Sequence, residues 1–305
     1  MCRSRTATPP WVAPCPSLLV SYDGTPYRGW TDLRDVALRP ALARVLGCPE
    51  SDLQPGQQPS LPLLEAASRT DAGVHAAGQV CTLSLDDAVP PDRRSRLDTA
   101  RLAYSLNALL PPEVCVRCAA LVADGFDVRS NVGKQYTYRL STASTRDPLR
   151  RLHEWHAPPR RGRPGWDAAA VASTAAAMLG THSFAAFGNR PRGGERSVEV
   201  DPVCTLSELR LSQGGLSEAS SAGRWAFTVR GDRFLYKMVR NLVGSLVKVG
   251  YGEMEGGELL EALADGRFRR GESVPITAPP HGLVLDSVEY AAGEDPFSSS
   301  SAGLN

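Results

Sequence analysis

Pairs of strand-like segments separated by single helices occur twice along the chain, and this order most constrains its fold. Short runs rich in branched and aromatic residues, bounded by turn-forming residues, predict strands. These strands are expected at residues 17–22, 79–85, 114–122, 134–141, 203–211, 225–230 and 282–290. Apolar residues spaced three and four apart predict helices at residues 33–46, 97–110, 166–179 and 234–249.

This order of elements predicts the α+β class, with two units that each carry a largely antiparallel sheet and helices on one face. We expect an N-terminal domain over residues 17–128 and a C-terminal domain over residues 129–290. Residues 1–16 and 291–305 are expected to form a flexible extension and a flexible tail. No fixed-period repeat is visible, which argues against solenoids and propellers.

Composition excludes several classes of protein. Apolar residues make up 42% of the chain, enough for a packed core. No run of eighteen apolar residues occurs, so no membrane span is expected. The seven cysteines are an odd number without a secretory signal, which favours reduced thiols in an intracellular protein. Cys115 and Cys118 lack further zinc-ligand partners, and the five histidines lack metal-like spacing, so no metal is predicted.

Charge is distributed unevenly along the chain although its net value is only +1. Residues 129–163 contain nine Lys or Arg and two acids, whereas residues 252–305 contain three Arg and ten acids. One side of the molecule is therefore able to attract a polyanion.

The sharpest local feature is the segment at residues 67–76. Arg69 and Asp71 stand two residues apart, which places their side chains on one side of an extended segment. Gly73 allows the backbone to turn or to be approached closely. The spacing alone fits a surface turn with a local ion pair as well as it fits a functional site.

The same segment reads Ser-Arg-Thr-Asp-Ala-Gly-Val-His over residues 68–75 and resembles the signature loop of the TruA-type tRNA pseudouridine synthases. Further blocks resemble that family in the same order, and the similarity extends over about residues 17–290. These blocks lie at residues 22–30, 106–111, 126–138, 178–187, 234–244 and 278–283.

The resemblance implies two α+β domains whose sheets join side by side, with a basic active-site cleft between them. It implies isomerisation of uridine to pseudouridine in tRNA, typically at about positions 38–40 of the anticodon arm, with no cofactor and no metal. The implied partner is tRNA, a homodimer is common in the family, and no membrane is involved. The compartment is expected to be the cytoplasm or the interior of a plastid or mitochondrion.

The resemblance also implies roles for individual residues. Asp71 is the implied catalytic carboxylate, attacking either the sugar or the base, and Arg240 is its implied partner. Arg240 lies about 130° from the centre of its helix's apolar face, so it is outside the core. Tyr136 is implied to lie against the target base, since aromatic faces stack well on bases. The expected RNA or substrate contacts are Arg69, His75, Arg28, Arg129 and Leu283.

Some positions depart from the family pattern, and other functions remain open. Ser68 stands where a glycine is commoner, and Thr31 to Leu33 replace the usual glutamines after Trp30. One alternative is a synthase acting on other tRNA positions or other RNAs. Another is a non-catalytic RNA-binding or chaperone module. A carboxylate-dependent hydrolase is a third, but it would need a second acid beside Asp71.

Overall fold

The computed structural model of the chain describes ten segments, and all structural statements refer to them. They are residues 15–47, 63–85, 89, 97–123, 125–159, 162, 164–189, 200–214, 223–268 and 276–298. Most of the predicted extension at residues 1–16 and the end of the predicted tail at residues 291–305 lie outside them.

Ten strands of the described chain belong to one sheet. They are β1 (Cys15–Tyr22), β2 (Leu63–Ala66), β3 (His75–Ser84), β4 (Val114–Val122), β5 (Gly133–Ser141), β6 (Trp155–His156), β7 (Gly180–Ser183), β8 (Val203–Gln213), β9 (Arg224–Gly231) and β10 (Leu283–Glu289). All seven predicted strands are present, most within two residues of their predicted ends. Strand β3 begins four residues earlier than predicted because its first residues belong to the motif that reads as a loop.

The sheet order is β4-β1-β3-β10-β5-β9-β8-β7, with β2 paired to β3 and β6 paired to β5. The last strand, β10, lies parallel to β3 and antiparallel to β5, so it joins the strands of the two predicted halves. All other pairs except β5 with β6 are antiparallel. The predicted α+β class with a mainly antiparallel sheet is therefore confirmed. Pairing β10 with both neighbours brings residues far apart in sequence to the centre of the sheet.

The helices occupy the connections between strands. They are α1 (Trp30–Leu33), which continues through a π-helical turn (Arg34–Leu38) into α2 (Arg39–Leu46), then α3 (Thr99–Asn107), α4 (Ala168–Ala177), α5 (Met238–Gly250) and α6 (Gly256–Asp265). Among these helices none has both the length and the hydropathy needed to cross a bilayer.

Helix α5 packs its predicted apolar face into the core but starts four residues later than predicted. Met238, Leu242, Val243 and Leu246 are all fully buried. Lys237, directly before the helix, has a left-handed backbone with φ of 62°. Since helical residues need φ near −60°, Lys237 separates residues 234–236 from the helix.

Gly244 lets helix α5 approach the segment before β10 closely. A Cβ at this position would lie 1.7 Å from the carbonyl oxygen of Ile276. We expect Gly244→Ala to lower the free energy of unfolding by about 1–3 kcal/mol because helix and segment must separate. Thermal or urea denaturation measures this loss.

Gly257→Ala in helix α6 is the matched control, because a Cβ there meets open space. Alanine favours helix more than glycine does, so this variant should be as stable as the parent or slightly more stable. Equal stability of the Gly244→Ala variant and the parent would contradict the close packing of α5.

Candidate active site

The loop between β2 and β3, residues 67–74, lies against the turn that precedes α1. The amide of Trp30 donates to the carbonyl of Thr70 (3.1 Å), and the amide of Gly73 donates to the carbonyl of Tyr27 (3.2 Å). Gly29 has φ of 103°, and a Cβ on it would lie 2.8 Å from the Thr70 carbonyl oxygen. The block at residues 22–30 and the signature loop at residues 68–75 therefore form one structural unit, which holds Asp71 in place.

A buried amide fixes the start of this loop. The side chain of Gln79 on β3 is fully buried and pairs with both backbone groups of Ser68. Its Oε1 accepts from the Ser68 amide (3.3 Å), and its Nε2 donates to the Ser68 carbonyl (2.7 Å). Nearby, the hydroxyl groups of Tyr22 and Thr70 lie 2.7 Å apart. Hydrogen bonds thus hold the loop directly before Asp71 at two points.

Asp71 and Arg240 meet although 169 residues separate them in sequence. Nη1 of Arg240 donates to Oδ2 of Asp71 at 2.7 Å. The Nε of the same guanidinium donates to the carbonyl of Ala278 (2.8 Å), while the Ala278 amide donates to the Arg240 carbonyl (3.0 Å). The side chains of Arg240 and Asp71 are 11% and 19% exposed. The guanidinium therefore places a charged hydrogen-bond donor against Asp71 in a fixed geometry.

Tyr136 on β5 lies beside this ion pair and is almost buried. Its ring meets Phe234 edge to face, with centroids 5.1 Å apart, and its hydroxyl lies 2.9 Å from Oγ of Ser68. Burial raises the pKa of the Tyr136 phenol to about 12, a change that the Ser68 hydrogen bond opposes. The phenol therefore keeps its proton at neutral pH. Ser68, the residue that departs from the family pattern, thus contacts the aromatic group of the site.

These side chains line a cavity of about 860 Å³. Among its described lining residues one is acidic, Asp71. Its basic lining residues are Arg28, Arg69, Lys134, Lys237 and Arg240. A second carboxylate, which the hydrolase alternative needs, is absent from the described lining. Excess positive charge in a concave site favours a polyanionic ligand.

The structure brings six of the eight residues singled out from the sequence to this cavity. They are Asp71, Arg240, Tyr136, Arg69, Arg28 and Leu283. Arg69 is exposed at the rim, and among the ion pairs of the described residues Asp71 pairs with Arg240 and not with Arg69. The local ion pair considered for the motif is therefore not the arrangement found.

Two of the eight lie elsewhere. His75 is 4% exposed, and its ring nitrogens face Asp23 (3.0 Å) and the carbonyl of His281 (3.1 Å). The structure therefore places His75 inside the protein, outside the described lining of the cavity, and its expected contact with RNA stays a prediction. Arg129 is exposed away from the described cavity lining, between Asp127 and Glu65. Its expected contact with RNA is not at this cavity.

Some residues of the site were not singled out from the sequence. Phe234 and Gln79 look like ordinary apolar and strand residues in their segments, and only the fold shows what they touch. Lys134 stands two residues before Tyr136 in the same strand, so both side chains share one face, and this alternation was the signal that could have identified it. Burial lowers the pKa of Lys134, whose Nζ donates to Asn131 (2.7 Å).

One group of side chains in the described chain brings metal-ligating residue types together. Asp23, His75 and His153 place their ligand atoms within 4.8 Å of one another. Nδ1 of His75 already accepts from the Gly24 amide (3.1 Å) and Nε2 is taken by the His281 carbonyl, so His75 has no electron pair left for a metal. None of the three lines the cavity. This group therefore lies outside the candidate active site.

We expect Gln79→Leu to lower single-turnover activity about 10- to 100-fold, because the loop that contains Asp71 loses its hydrogen bonds to the Gln79 side chain. RNA affinity should stay within about threefold of the parent's affinity. Gln213→Leu, at the exposed end of β8, is the matched control and should keep full activity. Melting temperatures of both variants separate lost positioning from lost folding. A folded Gln79→Leu protein with normal turnover would show that the pairing with Ser68 does not position the loop.

Comparison with known proteins gives consistent matches. A family model described as tRNA pseudouridine synthase matches residues 174–291. The chain is 36% identical over 285 residues to tRNA pseudouridine synthase A of Myxococcus xanthus, covering 90% of this chain and 92% of that protein. It is 35% identical over 291 residues to tRNA pseudouridine synthase A of Paracoccus denitrificans, covering 93% and 98%. The protein of that name from Chlamydia pneumoniae is 33% identical over 283 residues, covering 92% and 94%.

Proposed function

We propose that this chain, which belongs to the TruA-type tRNA pseudouridine synthase family of isomerases, converts uridine to pseudouridine in tRNA. We propose the anticodon stem-loop, at about positions 38–40, as the place of the target uridine. We further propose Asp71 as the catalytic carboxylate, Arg240 as its partner and Tyr136 as the residue against the base. The relatives named above carry tRNA in their names, which supports tRNA as the substrate.

The contact between Asp71 and Arg240 is the observation that supports this proposal most strongly. It joins the signature loop to helix α5 at 2.7 Å, within a cavity that holds a buried aromatic ring and several cations. A target uridine must leave its stack to reach such a site. The basic rim residues Arg28, Arg69 and Lys237 are suited to the phosphates that flank it.

In the proposed reaction Asp71 acts as the nucleophile toward the ribose or the base, and the bond that its carboxylate forms is broken again before the product leaves, which regenerates the carboxylate. The bond between N1 of uracil and C1′ of ribose breaks, and the base turns within the cavity. A bond then forms between C5 and C1′, the hydrogen on C5 leaves as a proton, and N1 takes up a proton. The product has the same composition as the substrate, so the reaction needs no oxidant or reductant.

Other residues of the cavity assist Asp71 in the proposed reaction. Arg240 holds the carboxylate in a fixed orientation, because its guanidinium is bound at Ala278 as well as at Asp71. Tyr136, supported by Phe234, offers a flat surface for the base while it is detached. Leu283 at the start of β10 covers another wall of the cavity.

Tritium release from C5 of uridine tests reaction and substrate together. We expect the protein to release label from tRNA transcripts that carry uridine at about positions 38–40, and from none in which cytidine replaces those uridines. Release that survives the replacement would show that the target lies elsewhere in tRNA. Tight binding without release from any transcript would show an RNA-binding module instead of an enzyme.

A further inference from the structure

A hydrogen bond joins the loop that contains Asp71 to Tyr136 across the centre of the sheet. Ser68 lies in the loop before β3, whereas Tyr136 lies on β5, and strand β10 runs between β3 and β5. Oγ of Ser68 and the hydroxyl oxygen of Tyr136 lie 2.9 Å apart, although 68 residues separate them in sequence. Both residues line the catalytic cavity. The bond therefore connects the ring proposed to lie against the base with the loop of the proposed carboxylate.

The backbone of Ser68 is fixed independently of Tyr136. The buried side chain of Gln79 accepts from the Ser68 amide (3.3 Å) and donates to the Ser68 carbonyl (2.7 Å). Gln79 itself belongs to β3, where its register partner on β1 is Val20. Because the main chain at Ser68 is held from both sides, its hydroxyl group has a defined position. Ser68 can therefore hold Tyr136 in place instead of following its movements.

The Tyr136 hydroxyl depends on this one contact. Tyr136 is only 7% exposed. Among the residues that the structure describes, Ser68 is the one hydrogen-bond partner of its hydroxyl. A nearly buried hydroxyl that loses its partner cannot replace it with water as readily as an exposed one. Without the Ser68 hydroxyl, the phenol would have to turn toward another partner.

Two contacts at different points of the side chain set the position of the Tyr136 ring. Phe234 meets the ring edge to face, with centroids 5.1 Å apart. Ser68 holds the opposite end of the side chain, and a hydrogen bond is more directional than an aromatic contact. Glycine, the commoner residue of the family at position 68, has no side chain and could not form this bond.

We propose that Ser68 is a positioning residue, whose hydroxyl group holds the Tyr136 ring in a fixed alignment with Asp71 during the reaction. This inference rests on the proposed function of Asp71 and Tyr136. The ring and the carboxylate must stay aligned while the base is detached and turns, and small displacements of reacting groups lower a rate strongly. Affinity for RNA comes largely from contacts with phosphates. Loss of the Ser68 hydroxyl should therefore lower the rate and leave tRNA binding almost unchanged.

A double-mutant cycle in the full-length protein tests this role. Single-turnover tritium release from a tRNA transcript gives the rate, and filter binding gives the affinity. We expect Ser68→Ala and Tyr136→Phe each to lower the rate about three- to tenfold, which corresponds to the loss of one hydrogen bond. The affinity for tRNA should stay within about twofold of the parent's affinity. The double variant should be no slower than the slower single variant, because either substitution alone already breaks the bond.

Ser207→Ala and Tyr104→Phe are the matched controls. Ser207 is an exposed residue of β8 whose hydroxyl donates to the carbonyl of Arg230, and Tyr104 is 78% exposed on α3. Neither is among the described residues that line the cavity, so both variants should keep the parent's rate. Ser68→Gly provides a second variant without the hydroxyl and should also lose rate. Melting temperatures show whether each variant is folded.

Three results would overturn the role of Ser68 while leaving the proposed function intact. The first is an active parent whose Ser68→Ala variant keeps the full rate. The second is a pair of single-variant losses that multiply in the double variant, which would show that the two hydroxyl groups act independently. The third is a loss of tRNA affinity as large as the loss of rate. A parent that releases no label from any tRNA would instead overturn the proposed function, and this inference with it.

Discussion

We expect Asp71→Asn to abolish tritium release from tRNA, while the protein should still bind tRNA with nearly the parent's affinity. Asparagine has almost the same size and can still accept a hydrogen bond from Arg240, but it has neither the charge nor the nucleophilicity of a carboxylate. Loss of a catalytic nucleophile costs far more than loss of a binding contact, so we expect the single-turnover rate to fall at least about 10³-fold. Rapid-quench label release and filter binding give the two quantities.

Asp201→Asn is the matched control for this substitution. Asp201 is an exposed acid that pairs with Arg233, and it is not among the described residues that line the cavity. Its amide variant should retain the parent's rate. A rate for Asp71→Asn within a few-fold of that control would remove Asp71 from the mechanism.

We expect Arg240→Ala to lose turnover as well, with tRNA affinity close to that of the parent. The guanidinium donates to Asp71 and to the Ala278 carbonyl at once, so its removal leaves the carboxylate without its cation and without a fixed orientation. We expect a loss of about 10²- to 10³-fold in single-turnover rate, comparable to the loss of one preorganised charged donor.

Arg240→Lys separates charge from geometry. Lysine keeps the positive charge but lacks the planar fork that reaches both acceptors, so its rate should lie between those of the alanine variant and the parent. Arg210→Ala is the control, since Arg210 is an exposed residue of β8 that pairs with Glu208. Unchanged turnover in a folded Arg240→Ala protein would contradict the pairing with Asp71.

Local patterns predicted the elements of this fold better than their arrangement. The strands at residues 114–122 and 134–141 were predicted almost to the residue because each is a short run rich in branched or aromatic residues that lies next to turn-forming residues. The four-residue strands β2 and β7 were not predicted, since so few residues hold too little pattern. The place of β10 between β3 and β5 depends on contacts between distant segments, which periodicity does not describe.

Local sequence patterns also predicted single residues of the site better than the contacts between them. The helical period predicted that Arg240 lies outside the apolar core of its helix, and the structure confirms this. Its contact with Asp71 was implied only by the family resemblance, because no local pattern links residues 169 positions apart. The burial of His75 was not predicted, since its motif gives no indication of it. Gln79 was missed because a fully buried glutamine in a strand has no signature of its own.

Chemical analysis of the RNA product tests most directly whether the protein forms pseudouridine by means of Asp71. Unmodified tRNA transcript is incubated with the parent protein or with Asp71→Asn, digested to nucleosides and separated by liquid chromatography. We expect pseudouridine in the parent's digest, with an equal loss of uridine, and none in the digest from the variant. Pseudouridine formed by the Asp71→Asn protein, or none formed by the parent from any tRNA, would contradict it.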